Sequence, residues 1–316
     1  MQPDVSFIIA AYNAEATLRR AIDSALAQRS VSVEVIVVDD CSSDATLALA
    51  RSHADHRVRV LPLKANRGPG GARNAGLDAA RGRWVAVLDS DDAVLPDRLA
   101  AMISRAERSD AQMVVDNIEV IREDGAQPEV MFPGGYLEKL AELSLADFIG
   151  GNIVFESAFN FGYMKPIFSR RYLDERGLRY DEDLRIGEDY ILLASALARG
   201  GRCTVEPAVG YAYHVRSGSI SRVLEHHHVE AMERADAAFE ASNPLDPQAR
   251  KAFTRRARSL RQAATFLSLV EHIKQRSPLK AMRTALGDPA AVRHLRMPIA
   301  VRLRRVARQF AYRAGK

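Results

Sequence analysis

The chain has 316 residues, 47% of them hydrophobic, enough for one large core or a core with an appendage. Two cysteines, Cys41 and Cys203, exclude a disulfide framework and point to a reducing, cytosolic setting. The formal charge of +5 hides an asymmetry: from residue 250 onward 18 Lys and Arg face only Glu271 and Asp288, a local +16 that leaves −11 elsewhere and points to an anionic partner, nucleic acid or a phospholipid surface.

The opening MQPDVSFIIAAYN has no basic leader and a short apolar run, so neither a signal peptide nor a membrane span is expected and the protein is placed on the cytoplasmic side. VSFIIAA (5–11) reads as a strand, and AEATLRRAIDSALAQ (14–28) has helical spacing. VEVIVV (33–38) predicts a second strand, followed by a helix capped by Ser43 or Asp44. RVRVLPL (57–63), a Gly-rich turn into a helix over 71–81, WVAVL (84–88), a helix opened by Pro96 and MVVDNIEVI (113–121) continue the series. Strands without polar alternation, separated by helices, predict an α/β fold with a mostly parallel sheet covered on both faces. From 122 to 165 the pattern loosens into turns with a short helix near 144–149. A helix over 187–200 and short strands at CTVEP and YAYHV follow, and beyond 222 every segment reads as helix. A boundary is placed between 1–230 and 231–316.

In such sheets ligands bind beyond the carboxyl ends of the strands. Tyr12 and Asn13, Asp39 and Asp40, and Asp89, Asp91 and Asp92 follow strands one, two and four. Asp89 and Asp91, two apart, point the same way in an extended segment and can face one cation; oxygen ligands suit Mg²⁺ or Mn²⁺, with water and substrate phosphates completing the shell. The alternative is a solvated acidic turn. An acid at Asp39 or Asp40 can accept from a base or ribose, or can be an exposed pair opening the turn before Ser43. In NRGPGGARN (66–74) the glycines permit close backbone approach, and Arg73 can reach a phosphate or steady the acids. Arg73 breaks G-x-G-x-x-G, and no G-x-x-x-x-G-K-[ST] occurs, which disfavours a dinucleotide dehydrogenase or P-loop ATPase. Glu188 and Asp189 open a helix, where acids complement the dipole or, beside a metal-bound diphosphate, take a proton from an attacking hydroxyl. His214 reads as a strand-end histidine, and Arg216 and Ser219 lie in a polar loop able to close over phosphates. His226, His227 and His228 point three ways on a helix and read as surface.

The ordered set IIAAYNAE, VVDDCSSDAT, NRGPGGARNAG, LDSDD and GEDY, across about residues 4–222, resembles the family 2 inverting glycosyltransferases of the GT-A fold. Within it, GYMKPIFSRRYLDERGLRYDEDLRIGEDYILLASAL resembles bacterial succinoglycan-type exopolysaccharide enzymes. The resemblance implies that Ala11, Tyr12 and Glu15 line a nucleotide pocket, that Asp39 binds uracil and that Arg73 supports the pocket. It implies further that Asp89 contacts the ribose or sugar, that Asp91 holds Mn²⁺ or Mg²⁺ on the diphosphate, and that His214 and Asp92 share that metal. Asp189 would be the general base with Glu188 beside it, and Arg216 and Ser219 would cover the diphosphate. The implied donor is a UDP-hexose, with glucose expected, and the implied acceptor a lipid-linked saccharide. One direct displacement would invert an α-linked donor to a β-linkage without a covalent intermediate.

Basic amphipathic stretches at 255–276 and 297–313 predict contact with the anionic inner membrane, where a lipid-linked acceptor lies. The alternative packs their apolar face on the body and leaves the arginines solvated. Two rival functions remain at this stage. A sugar-nucleotide nucleotidyltransferase would need a Gly-rich, Lys-bearing loop after strand one that is missing here, and for a nucleic-acid-binding protein there is no recognised motif and stacking aromatics are few in the tail, so no nucleic acid is expected.

Overall fold

The apolar runs of the first ninety residues lie side by side in parallel register. In the computed structural model, which describes residues 2–156, 160–215 and 224–295, β1 (Val5–Ala11) pairs with β2 (Val33–Asp39) and β4 (Trp84–Val87), and β2 with β3 (Val58–Pro62). β1 and β2 are buried on both faces, which is why neither alternates. The crossovers are α1 (Leu18–Leu26), α2 (Thr46–Arg51) and α3 (Gly68–Ala79).

Beyond β4 the sheet becomes mixed. β8 (Ile167–Ser169) lies antiparallel between β4 and β6 (Met113–Arg122), β9 (Cys203–Val215) runs parallel to β6, and β5 (Ala93–Val94) pairs antiparallel with β9. The order is β3-β2-β1-β4-β8-β6-β9-β5, with β7 (Glu129–Val130) hairpinned onto β6. The sequence did not show β8, because three residues are too short to display a period. The two strands expected in 203–215 are one strand of 13 residues whose register with β6 slips around Asn117. Pro207 and Gly210 sit in that irregular stretch, where a missing N–H and a missing Cβ are tolerated. At Gly210 a Cβ would lie 2.2 Å from Asp116 Oδ2, so the glycine makes room for the buried Arg98–Asp116 ion pair.

The helices α4 (Arg98–Ser109), α5 (Gly134–Lys139), α6 (Leu145–Gly150), α7 (Arg170–Glu175) and α8 (Glu188–Ala198) complete the body. After it come α9 (His226–Ser242), α10 (Pro247–Lys274), α11 (Pro278–Gly287) and α12 (Pro289–Val292). The division expected at 230/231 falls inside α9. Phe239, Ala252 and Phe253 join the main core, so α9 and the start of α10 belong to the body. The stretch 255–276 buries Arg256, Leu260, Ala263, Phe266 and Leu269, so its apolar face is packed on protein. The stretch expected at 297–313 lies outside the described residues.

Candidate active site

Two loops at the carboxyl end of the sheet hold each other in place. Asn13, at φ +50°, accepts from the Ser43 N–H at 2.9 Å, and Glu15 accepts from the Ala45 N–H at 2.9 Å. Glu15 thus braces the loop after β2, while Ala11 is buried and Tyr12 is 51% exposed beside it. Asp39 and Asp40 are both buried, not an exposed turn-opening pair. Asp40 accepts from the N–H groups of Arg67 and Gly68 at 2.7 and 2.8 Å, serving an α3 N-terminus that has no side-chain cap of its own. Asp39 takes the Ser42 N–H on Oδ2 at 3.3 Å, and its Oδ1 is buried with no partner. A buried acceptor left unsatisfied at a strand end is a place for a ligand N–H.

Arg73 gathers the acids. It lies in the second turn of α3, buried, and donates to Glu188 at 2.5 Å, Asp189 at 3.0 Å and Asp89 at 2.8 Å. Lys165, just before β8, adds ion pairs to Asp189 at 2.7 Å and Asp89 at 2.9 Å. Burial alone would push the Asp89 carboxyl up, but the Lys165 ammonium and the Arg73 guanidinium outweigh it and hold the group well below the carboxylate range. For Glu188 burial prevails over Arg73 and raises its value. Two glycines of α3, Gly70 and Gly71, lie against residues 181 and 182. A Cβ on Gly70 would sit 2.6 Å from the Asp181 carbonyl oxygen, so the 180–182 segment packs directly on the helix. Asn74 ties it down, donating to the Tyr180 carbonyl at 3.0 Å and accepting from its N–H at 2.8 Å.

β4 ends at Val87, and Asp89 to Asp92 form a turn closed by the Asp92 N–H on the Asp89 carbonyl, not the extended segment expected from sequence. Asp89 points to Arg73 and Lys165. Asp91 is partly exposed at the tip of the turn, its carbonyl taken by the Arg20 guanidinium. Asp92 is fully buried, accepting from the Tyr211 hydroxyl at 2.8 Å and from the His214 N–H at 2.7 Å. Expected to share a metal, Asp92 here accepts one hydrogen bond on each oxygen, and these fix the turn to β9. Burial, together with the charges of Asp89 and Asp91, pushes its carboxyl well above the usual value. His214 places Nδ1 at 3.1 Å from the Ala212 carbonyl, which favours a proton on Nδ1 and a lone pair on Nε2. Asp91 and His214 fit a divalent cation as one oxygen and one nitrogen donor from the turn and the strand that Asp92 joins. Among the described residues no group of three His, Cys, Asp or Glu is arranged to hold a metal ion, so such an ion would draw the rest of its shell from substrate and water. Arg216 and Ser219 lie outside the described residues. His228 closes a reciprocal cap with Glu225 at the start of α9, and the histidine run is surface as read.

Sequence reasoning missed Lys165 and Tyr211. A lone Lys in the apolar run MKPIF was the available signal, since a buried ammonium needs a partner. Tyr211 accepts the Asp89 N–H at 3.2 Å and donates to Asp92, pinning both ends of the acidic turn.

Three comparisons bear on this site. The family description "Glycosyl transferase family 2" matches residues 6–171. The succinoglycan biosynthesis protein ExoO of Rhizobium meliloti is 59% identical over 310 residues, 98% of this chain and 89% of the relative. ExoU of the same organism is 35% identical over 92% of this chain and 84% of its own length. The Staphylococcus (S. aureus) TarS fragment 1–349, solved in complex with UDP-GlcNAc, superposes with a TM-score of 0.62 at 19% identity, covering 89% of this chain and 90% of that one, and so shares the fold. The chain therefore belongs to glycosyl transferase family 2 and is a glycosyltransferase with the GT-A fold.

Proposed function

We propose that the protein moves glucose from UDP-glucose, with inversion, onto a lipid-linked oligosaccharide during assembly of a succinoglycan-like exopolysaccharide. The observation that carries this is the convergence of Asp89 from the β4 turn and Asp189 from α8 on Arg73 and Lys165 at the carboxyl end of the sheet. ExoO and ExoU supply the pathway by name. A third relative, named UDP-Glc:alpha-D-GlcNAc-diphosphoundecaprenol beta-1,3-glucosyltransferase WfaP of Escherichia coli, is 30% identical over 69% of this chain and supplies the donor and acceptor classes.

In this reading the orphaned Oδ1 of Asp39 accepts the uracil N–H, and the exposed Tyr12, next to Ala11 which pairs with Asp39 across the sheet, offers its ring to the base. Asp89 meets the ribose or sugar hydroxyls. Asp91 and His214 would hold Mn²⁺ or Mg²⁺, which when bound offsets negative charge on the departing diphosphate. Asp189 takes the proton of the acceptor hydroxyl as its oxygen bonds the anomeric carbon. The bond from that carbon to the phosphate oxygen breaks, and UDP leaves with the electron pair. Arg73 and Lys165 keep the Asp189 carboxylate oriented for that transfer, and acting by direct displacement it needs no Ser or Cys nucleophile. The reaction is placed at the cytoplasmic face of the inner membrane, where a lipid-linked acceptor is reached.

Calorimetric titration of UDP-glucose, UDP-galactose and GDP-mannose, with and without Mn²⁺, tests the donor. Metal-dependent binding of UDP-glucose is expected in the wild type and in Asp189→Asn, and its loss in Asp91→Ala. Binding of GDP-mannose instead would overturn the donor. Near-normal turnover by Asp189→Asn would remove that residue as the base.

A further inference from the structure

α11 is amphipathic, but its large apolar side chains face outward. Toward α10 it presents Ala281, Thr284 and Ala285, which are small or polar and half-buried. Leu279, Met282 and Leu286, spaced three and four apart and so on one face, are 76%, 57% and 72% exposed. Ile273, just before the turn into α11, is 51% exposed. No residue of α11 is buried. A helix that served only to cover α10 would show the reverse arrangement, with Leu and Met turned inward.

The surrounding charge is of one sign. Lys274, Arg276, Lys280 and Arg283 are exposed and form no ion pair among the described residues. From residue 250 onward the only acids are Glu271 and Asp288. A protruding apolar face within a ring of Lys and Arg matches the boundary of an anionic bilayer, where Leu and Met enter the acyl region and the cations stay level with the phosphates. The same cations disfavour a second copy of this face as the occupant, because like charges would be brought together. No described helix is long and apolar enough to cross a membrane, so a contact made by α11 lies in the plane of the interface.

We infer that the outward face of α11, with Ile273, is the surface by which this protein docks on an anionic phospholipid bilayer. The choice of a bilayer rests in part on the reading of the acceptor as lipid-linked. The stretch 255–276, expected from sequence to make this contact, packs its apolar face on the body as far as Leu269 and adds its end, Ile273, Lys274 and Arg276, to the surface that α11 presents.

The test is co-sedimentation of the full chain with phosphatidylcholine vesicles, with and without phosphatidylglycerol, for the wild type and for the triple variant Leu279→Ser, Met282→Ser, Leu286→Ser. Because all three positions are exposed, the variant folds and binds the sugar nucleotide as the wild type does. The wild type is expected to sediment with the phosphatidylglycerol vesicles and less with phosphatidylcholine alone, and the variant to lose roughly tenfold or more in partitioning. Equal sedimentation of the two proteins would overturn the assignment to α11 and leave the lipid-linked acceptor standing. A wild type that ignores both vesicles, yet glycosylates a lipid-linked acceptor in detergent, would overturn the docking and leave the transfer reaction standing. A wild-type dimer that the triple variant dissolves, with no vesicle binding, would assign the face to a second copy instead.

Discussion

Arg73 and Lys165 are two cations facing three carboxylates, Asp89, Glu188 and Asp189, so removing one cation leaves the acids further from balance. Lys165→Met should lower kcat by about 10²-fold, the order seen when a positioned charge at a reacting centre is lost, with little change in the donor KM. Lys165→Arg should recover part of it. A purely structural lysine would instead lower the folded fraction and leave the kcat of folded enzyme intact, so kcat per folded molecule separates the two. Asp92 makes a different prediction. Its carboxyl is raised in the folded state by burial and by the neighbouring acids, so the folded protein binds that proton more tightly than the unfolded chain. The resulting penalty is full above the folded value and is relieved as pH falls through it toward the lower, unfolded value. The wild type should therefore gain stability relative to Asp92→Asn as pH is lowered from the neutral range toward 4, read as a narrowing or reversing difference in Tm. A difference that widens on acidification would contradict the raised value.

At the scale of elements, α3 shows why a glycine must be read by its neighbours. Gly70→Ala would drive a Cβ to 2.6 Å from the Asp181 carbonyl, a contact that only backbone movement relieves. It should cost about 1–3 kcal/mol and loosen Arg73 from its acids. Gly135 in α5 has open space around its Cβ position, and Gly135→Ala should stabilise by roughly 0.4–1 kcal/mol through reduced unfolded-state freedom. Urea unfolding of the pair should give opposite signs. The strands β1, β2 and β4 were legible because burial on both faces leaves an unbroken apolar run, and the acids at their ends were legible because charge stands out against it. The three residues of β8 were not, nor was the single span of β9, since both depend on partners distant in sequence. The Gly-rich stretch had a legible composition but an illegible target: the close approach it permits is by residues 180–182, more than a hundred positions away. The direction of the Asp89–Asp92 turn was lost for a related reason, because Tyr211 and Lys165 set it from elements that sequence spacing does not place beside it.

Over the whole molecule, the acidic catalytic body and the basic helices are one mechanical unit, and Arg256 shows where they join. From α10 it donates to Asp236 of α9 at 2.8 Å and to the Asn152 carbonyl at 2.8 Å, with its guanidinium 3.6 Å from the centre of the Tyr190 ring. Tyr190 follows Asp189 on α8, so this buried cation lies one residue along the chain from the proposed base. Burial pushes the Asp236 carboxyl up in spite of Arg256, so losing Arg256 would leave an acid that neither water nor a partner satisfies. Arg256→Met should cost about 3–5 kcal/mol, the order expected when one member of a buried ion pair is removed. The double variant Arg256→Met, Asp236→Leu should recover much of that loss, because two apolar side chains of similar volume remove the orphaned charge as well as the pair. A double-mutant cycle by urea unfolding, run alongside UDP-sugar titration, measures both halves of the claim. A loss of 1 kcal/mol or less in Arg256→Met, with donor binding untouched, would show that the catalytic body tolerates a loosened α10; a loss of several kcal/mol with weakened donor binding would mean that disturbing the basic helices disturbs the site along with them, so membrane docking must be tested by surface substitutions and not by truncation.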